Sequence, residues 1–247
     1  MFTRLALDEA LPRGGCVVCQ SVRLSERRSV WSFLYEGMMS PLVRQDFLEG
    51  GGFCARHLRL AKEIEEQTWQ AGGIGLAILC EQLLRQWERE ISESGETPGR
   101  GRGARWQRHN SEPALAPGQN CLFCRENRRK EQAVIEVLEL LSEEEKYASA
   151  VSRDPLCLRH TQIALREWKT PERTVWLREL TLHRIEEHLR DLRTFIEKHD
   201  YQRRGEPLGQ AADAVERAAR LIAGLDAVAS EDGRDHRENP DRLRSAR

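Results

Sequence analysis

Six cysteines and two histidines recur in this chain as two copies of one spacing, and this repeat constrains the fold more than any other feature. A C-x-x-C pair is followed, after 34 or 32 residues, by a C-x-x-H pair. The first copy comprises Cys16, Cys19, Cys54 and His57. The second copy comprises Cys121, Cys124, Cys157 and His160. Three thiols and one imidazole are the donor set of a closed tetrahedral zinc site.

The spacing within each pair suits metal binding. A C-x-x-C pair places two thiols on one tight turn, and a C-x-x-H pair in the first turn of a helix places both side chains on one face. We expect a helical hairpin within each copy to bring its two pairs together. The four residues of each copy would then hold one ion, and the positive end of the helix that starts at Cys54 or Cys157 would offset the site's negative charge.

The sequence therefore predicts two Zn²⁺ ions per chain. An iron–sulfur cluster is the alternative cofactor, since thiolates at C-x-x-C spacing also bind clusters, but a histidine ligand makes it less favoured. A third interpretation is that these are simply buried cysteines, which are common in protein cores. That interpretation does not explain the repeated spacing. Four protein ligands leave no position open for water, which is typical of a structural and not a catalytic site.

Apolar residues recur at helical spacing along most of the chain, and no alternating strand pattern is present. We predict an all-α protein of two tandem homologous helical halves, each clasped by one Cys3His metal site, plus a C-terminal helix. The halves are residues 1–92 and 121–203, and the C-terminal helix lies within 204–226. A Gly-, Pro- and Arg-rich flexible linker is predicted for 93–120, and a disordered tail for 227–247.

Several local signals mark where helices begin. Ser40-Pro41 and Thr170-Pro171 each combine a capping residue with proline at the first helical position. Ser142 and Glu145 form a possible capping box. The helix that follows Pro171 has apolar residues three and four positions apart in a heptad-like pattern, so we expect it to pack along another helix. The apolar positions are Leu182, Ile185, Leu189, Leu192 and Ile196.

Charge and hydropathy limit the classes of partner. The 39 basic and 40 acidic residues leave a formal net charge of −1, which makes nucleic acid an unfavoured partner. No stretch approaches the length of a membrane span, and the first residues lack the apolar core of a signal peptide. We expect a cytoplasmic protein with a protein partner and no membrane association; the oligomeric state is left open.

Recognisable catalytic motifs are missing from the sequence: there is no phosphate-binding loop, no G-x-S-x-G and no H-E-x-x-H. The seventh cysteine, Cys80, lies on an apolar helix face and is interpreted as a core residue. We therefore expect a non-catalytic, zinc-stabilised scaffold or interaction protein. One alternative is a redox sensor in which thiol oxidation expels zinc. Another is an enzyme whose site lies between the two halves.

Four segments resemble a bacterial and archaeal family known as a domain of unknown function, which has repeated C-x-x-C and F-C-x-x-H motifs. The corresponding segments are 16–19, 33–36 (FLYE), 52–57 (GFCARH) and 75–83 (GLAILCEQL). Residues 198–201 and 205–207 are similar to the segment with which the family tends to end. Cys80 departs from the aromatic residue usual at its position. The resemblance covers about residues 10–225 and implies the eight metal ligands and the two-half architecture, with no implied activity.

Overall fold

The computed structural model describes residues 2–67, 73–94, 118, 120–200 and 206–227. This described part is helical and contains no β-strand, which confirms the all-α prediction. Most of the predicted linker 93–120 and of the predicted tail 227–247 lies outside the described residues. None of the described helices combines the length and the apolar character that crossing a bilayer requires.

The described residues form ten α-helices joined by short turns. In chain order they are α1 (Phe2–Ala10), α2 (Val17–Tyr35), α3 (Pro41–Glu49), α4 (Ala55–Gln67), α5 (Ile74–Ser94), α6 (Leu122–Leu141), α7 (Glu145–Arg153), α8 (Leu158–Glu167), α9 (Pro171–Lys198) and α10 (Ala214–Ala223). Short 3-10 turns occur at Leu11–Arg13, Gly37–Met39, Gly209–Ala211 and Gly224–Ala227. The same order of long, short, medium and long helices therefore occurs twice, as α2 to α5 and as α6 to α9.

Most helix starts agree with the sequence signals, and two differ. α3 and α9 begin at Pro41 and Pro171, as predicted. The capping box is wrong: α7 begins after Glu144, and the Ser142 hydroxyl donates instead to the carbonyl of Glu139. The first helix, α1, was not predicted, because its nine residues carry neither a capping residue nor a long apolar period.

The chain divides into two compact units. One unit contains residues 1–21 and 133–247, and the other contains residues 22–132. Both boundaries fall inside helices, one in α2 and the other in α6. The units do not coincide with the predicted halves 1–92 and 121–203, because each unit combines segments from both halves.

Four phenylalanines form the centre of the unit containing residues 22–132. Phe33, Phe47, Phe53 and Phe123 are all at least 93% buried. The rings of Phe53 and Phe123 stack with their centroids 5.5 Å apart, and Phe33 packs against Phe47 at 4.9 Å. Large aromatic side chains bury much apolar area each, so this cluster gives a small unit a substantial core.

The other unit has a mainly aliphatic core with two aromatic residues anchored by hydrogen bonds. Tyr147 is fully buried, and its hydroxyl donates to the Asp8 carboxylate at 2.6 Å. The indole Nε1 of Trp168 donates to the carbonyl of Ile135 at 3.1 Å. Leu177 of α9 is fully buried in the same unit. These hydrogen bonds satisfy polar groups that burial would otherwise leave unpaired.

A buried carboxylate on α6 caps the start of α9. Glu139 Oε1 accepts hydrogen bonds from the backbone N–H groups of Lys169 and Thr170, at 2.7 and 2.8 Å. The Arg173 guanidinium donates to the Glu139 carbonyl. Burial alone would raise the pKa of Glu139, but these N–H groups and Arg173 outweigh it and lower the pKa. The carboxylate therefore supplies the side-chain cap that Thr170 itself does not form.

We predict that Glu139→Gln lowers the free energy of unfolding by about 1 to 3 kcal/mol at pH 7, because charge-assisted hydrogen bonds are lost. A carboxylate whose pKa is lowered by folding stabilises the protein above its unfolded pKa and loses that contribution as the pH falls. The difference from the wild type should therefore shrink below the ordinary glutamate pKa of 4.5. Urea unfolding at several pH values measures this effect, and exposed Glu136→Gln on the same helix is the control. An equal loss at pH 7 and pH 4 would contradict the capping role.

Candidate metal centres

All eight predicted ligand residues lie in two tight groups, but the groups are not the two expected ones. Cys16 and Cys19 meet Cys157 and His160, and we call this group the outer cluster because its residues flank the others in the sequence. The remaining residues form the inner cluster, which comprises Cys54, His57, Cys121 and Cys124. The prediction that each copy closes on itself is therefore wrong. Each C-x-x-C pair meets the C-x-x-H pair of the other copy.

Helix length explains why the pairs exchange partners. α2 has 19 residues and carries the chain about 28 Å from Cys16, whereas α3 has nine residues and can return it by only about 14 Å. The same mismatch separates Cys121 from Cys157, since α6 has 20 residues and α7 has nine. The helices of one copy therefore do not by themselves return its second pair to its first.

Every pair lies at the N-terminus of a helix. Cys16, Cys54, Cys121 and Cys157 each immediately precede a helix, and the carbonyl of each accepts the backbone N–H four residues later, at 2.8 to 3.1 Å. The second residue of each pair lies three positions further on, in the first helical turn, on the same face. Each cluster is thus built where two helix N-termini converge, α2 with α8 and α4 with α6. The positive dipole ends of both helices favour negative charge there.

The outer cluster is compact and largely buried. Its histidine Nδ1 lies 3.3 Å from the Sγ atoms of Cys16 and Cys19 and 3.1 Å from that of Cys157. The Sγ atoms of Cys19 and Cys157 are 3.8 Å apart. Cys16, Cys157 and His160 are buried, and Cys19 is partly exposed.

The inner cluster has nearly the same geometry. His57 Nδ1 lies 3.1 Å from Cys54 Sγ, 3.6 Å from Cys121 Sγ and 3.5 Å from Cys124 Sγ. The Sγ atoms of Cys54 and Cys124 are 3.7 Å apart. Because an S–S bond is only about 2.05 Å long, the cysteines of both clusters are free and form no disulfides.

These distances fit four ligands around one ion. In a tetrahedral site with metal–sulfur bonds of about 2.3 Å, two sulfur atoms lie about 3.8 Å apart. With a metal–nitrogen bond of about 2.0 Å, a sulfur and a nitrogen lie about 3.5 Å apart. The observed sulfur–sulfur distances of 3.7 and 3.8 Å match the first value, and the sulfur–nitrogen distances of 3.1 to 3.6 Å lie within about 0.4 Å of the second. The two clusters could therefore each hold one metal ion.

A buried carboxylate lies behind the histidine of the inner cluster. Glu26 of α2 is 3% exposed, and its Oε1 is 2.7 Å from His57 Nε2. Arg56 donates to the same carboxylate at 2.8 Å, as does Asn127. A carboxylate on the outer nitrogen of a ligating histidine orients the ring and directs the lone pair of Nδ1 towards the metal. Glu26 carries no sequence signal for this role, because no local motif connects it with His57, 31 positions away.

Proton sharing favours the thiolate form of one cysteine in each cluster, whereas burial and the neighbouring cysteines raise the pKa of Cys16 and of Cys124. Burial alone would lower the pKa of His57, but Cys121, Glu26 and Cys54 raise it to about 10. Burial raises the pKa of Cys121, yet its hydrogen bond with His57 and the backbone hydrogen bonds from Cys54 and Cys124 together outweigh this and lower the pKa to about 6. In the outer cluster, hydrogen bonds from Cys16 and Cys19 lower the pKa of Cys157 well below that of an ordinary thiol. The thiolate is the form of cysteine that binds metals.

One glycine lies against the backbone or the thiols of each cluster. A Cβ atom on Gly118 would lie 2.5 Å from Cys54 Cα, and a Cβ atom on Gly224 would lie 2.7 Å from Cys19 Sγ. Both glycines have positive φ angles, of 68° and 71°. The Gly118 N–H also donates to the carbonyl of Gly51 at 2.8 Å, which holds the segment before Cys121 against the loop that carries Cys54. Neither glycine has a sequence signal that would have assigned it this role.

The other cysteine and several histidines lie outside both clusters. Cys80 is partly buried on α5, and burial raises its pKa, in agreement with its interpretation as a packing residue. His183 pairs with Glu187 one turn further along α9. Burial lowers the pKa of His188. His109 and His236 lie outside the described residues.

We predict that Glu26→Ala lowers the free energy of unfolding by about 3 kcal/mol, because it leaves Asn127 without its buried acceptor and removes the carboxylate that lies 2.7 Å from His57 Nε2. The control is Glu63→Ala, which removes an exposed ion pair with Arg27 and should cost at most about 1 kcal/mol. Chemical denaturation of both variants measures the difference. Equal losses would show that Glu26 does not stabilise the inner cluster.

We predict that Gly118→Ala destabilises the protein by at least about 2 kcal/mol more than Gly209→Ala does. Both glycines have positive φ, so the backbone strain that alanine introduces is similar in the two variants. A Cβ atom on Gly209 meets nothing within 4 Å, whereas one on Gly118 would overlap the backbone of Cys54. Melting temperatures of the two variants isolate the steric cost of this overlap, and similar melting temperatures would argue against the close approach.

Comparison with known proteins agrees with the motif resemblance. No curated protein and no solved structure matches the chain. A family of unknown function, DUF6062, matches residues 5–228, which include both clusters and all ten helices from residue 5 onwards. The chain belongs to this family.

Proposed function

We propose that this protein is a non-catalytic helical scaffold held together by two structural metal ions, with zinc as the ion in both clusters. The observation that carries the proposal is the tetrahedral spacing of three sulfur atoms and one nitrogen in each cluster. In both clusters the four residues lie where two helix N-termini converge. The positive dipole ends of these helices would offset the single negative charge of a site made of three thiolates, a neutral imidazole and Zn²⁺.

The geometry supports a single ion over an iron–sulfur cluster. All four ligand atoms of each group lie within 4.8 Å of one another, which suits one ion at their centre. An iron–sulfur cluster places several iron and sulfide atoms between its cysteines and needs a wider cage. Mixed thiolate and imidazole ligands in a tetrahedron are typical of zinc.

Burial supports a structural role over a redox sensor or an enzyme. Cys16, Cys121 and Cys157 are buried, whereas thiols that react with oxidants are accessible. Four protein ligands leave no open position for a water molecule or a substrate. The clusters would therefore hold the helices in place and leave the chemistry of the metal unused.

The clusters close nested loops, and the nesting supports a role in folding. Cys19 and Cys157 are 138 positions apart, and both inner pairs lie between them, with His57 and Cys121 64 positions apart. If the inner cluster closes first, the loop that the outer cluster must close becomes about half as long. The entropic cost of closing the outer loop then falls by about 0.6 kcal/mol. Metal binding at the inner site should thus promote binding at the outer site.

The matching helix order supports a tandem duplication. Residues that occupy equivalent positions in the two copies also occupy equivalent places in the two cores. Phe53 and Leu156 each lie one position before the cysteine of a C-x-x-H pair, and both are buried. Val18 and Phe123 each lie two positions after the first cysteine of a C-x-x-C pair, and both are buried as well. The core of each compact unit thus contains a C-x-x-C segment from one copy and a C-x-x-H segment from the other. This arrangement is expected if two duplicated halves exchanged these segments.

Two double substitutions test the metal sites and their pairing together. Cys16→Ser with Cys157→Ser disrupts only the outer cluster and should leave about one zinc ion per chain, whereas the wild type should hold about two. Cys16→Ser with Cys54→Ser damages both clusters and should leave almost none. Pairing within each copy predicts the reverse ranking. Elemental analysis of the purified proteins measures the metal content.

The measured metal content distinguishes bound zinc, an iron–sulfur cluster and a protein without metal. Two zinc ions in the wild type and one in Cys16→Ser with Cys157→Ser support the proposal. Iron and sulfide in the purified wild type would indicate an iron–sulfur cluster instead of zinc. A wild type without bound metal would overturn the structural role of the metal. Cys80→Ser is the matched control, since its thiol belongs to neither cluster, and it should retain both ions.

A further inference from the structure

The longest helix carries an exposed apolar stripe with a period of seven residues. Val175, Leu182, Leu189 and Ile196 of α9 are 45%, 53%, 45% and 67% exposed. Ile185 and Leu192, each three positions after a member of the stripe, are partly buried. Apolar residues in this a/d pattern along a 28-residue helix are typical of a two-stranded coiled coil.

The face of α9 next to the stripe attaches the helix to its own unit. Leu177 and Thr181 are buried there. Arg184 donates to the carbonyl of Ser152 at 2.6 Å, and Asp191 accepts from Arg217 at 2.6 Å. Because these contacts hold α9 in place, the stripe is not needed to anchor the helix. The expectation that α9 packs along another helix is met within its own unit, where α9 contacts α8 and α10, but the stripe itself stays exposed.

We propose that the chain forms a homodimer in which α9 pairs with α9 of a second copy in an antiparallel coiled coil. This names the partner of the scaffold proposed above and rests on that scaffold role, although the pairing itself involves no metal ligand. In the antiparallel arrangement, Leu182 faces Leu192 of the second copy and Ile185 faces Leu189. Two-fold symmetry repeats both layers, so four consecutive layers are wholly apolar.

The charges beside the stripe favour the antiparallel direction. Glu179, Glu186 and Arg193 lie at seven-residue intervals next to the stripe and are exposed. Antiparallel pairing places Glu179 opposite Arg193 of the second copy, and symmetry makes this contact twice, whereas Glu186 meets its own counterpart once. Parallel pairing would instead place Arg178 against Arg178 within the apolar seam. Two attractive pairs and no buried like charges therefore select the antiparallel dimer.

The equivalent helix of the first copy lacks this charge pattern. A shift of 105 positions relates Leu189 to Leu84 and Ile196 to Ile91 of α5, which are 70% and 67% exposed. The flanking residues on α5 are Glu81 and Glu88, both exposed. In the register proposed for α9, an antiparallel pair of α5 helices would place Glu81 opposite its own counterpart and Ile74 opposite Glu88, so no attractive ion pair supports self-pairing there. Leu84 therefore provides a matched control.

Sedimentation velocity of the full chain between about 1 and 100 µM tests the dimer. The wild type should approach twice its monomer mass of 28.5 kDa at the upper concentrations. Leu182→Glu with Leu189→Glu should remain monomeric, because four charges would enter the central layers. Leu84→Glu should dimerise like the wild type. Circular dichroism checks that each variant remains helical, which is expected because the substituted side chains are exposed.

A charge exchange tests the direction of pairing. Glu179→Arg should raise the dissociation constant about tenfold, since two attractive contacts become repulsive. Adding Arg193→Glu restores both contacts in the antiparallel dimer and should return the constant to about its original value. A monomeric wild type, a dimer unaffected by the Leu182 and Leu189 substitutions, or no recovery in the exchanged variant would each overturn the proposal. Zinc content should be the same in all these variants, so a failure here leaves the metal proposal standing.

Discussion

The structure depends on the meeting of each C-x-x-C pair with the C-x-x-H pair from the other end of the repeat. Three sulfur atoms and one nitrogen atom converge at two helix N-termini in each cluster, at distances of 3.1 to 3.8 Å. The helices that carry the ligands are α2 with α8 and α4 with α6. Because the C-x-x-C pair and the C-x-x-H pair of each cluster are far apart in the sequence, the helices between them must be arranged so that both clusters can form.

The two clusters differ in the packing that surrounds them. At the inner cluster, Phe123 lies 5.4 Å from the His57 ring, and Glu26 holds the outer nitrogen of that ring. Gly118 allows the chain before Cys121 to lie against Cys54. At the outer cluster, Gly224 brings the segment after α10 against the Cys19 thiol. Closely packed surroundings fix the directions of ligand atoms, which a metal site requires as much as the ligands themselves.

Local features of the fold could be predicted because they depend on local chemistry. Pro41 and Pro171 mark helix starts, since proline suits the first helical position. The ligand pairs could be identified because positions i and i+3 share a helix face. Glu26 and Glu139 could not be identified in this way. A carboxylate that accepts hydrogen bonds from residues some thirty positions away has the same local sequence signature as one that faces solvent.

The amino-acid sequence by itself determined that the chain is helical and that eight cysteine and histidine residues occur as two matched sets. Only the tertiary structure decided which pairs meet. Spacing along the chain favours partners that are close in sequence, whereas the long helices α2 and α6 lead the chain away from each C-x-x-C pair. The nine-residue helix that follows each of them returns over only about half that length, so each C-x-x-C pair meets the C-x-x-H pair of the other copy.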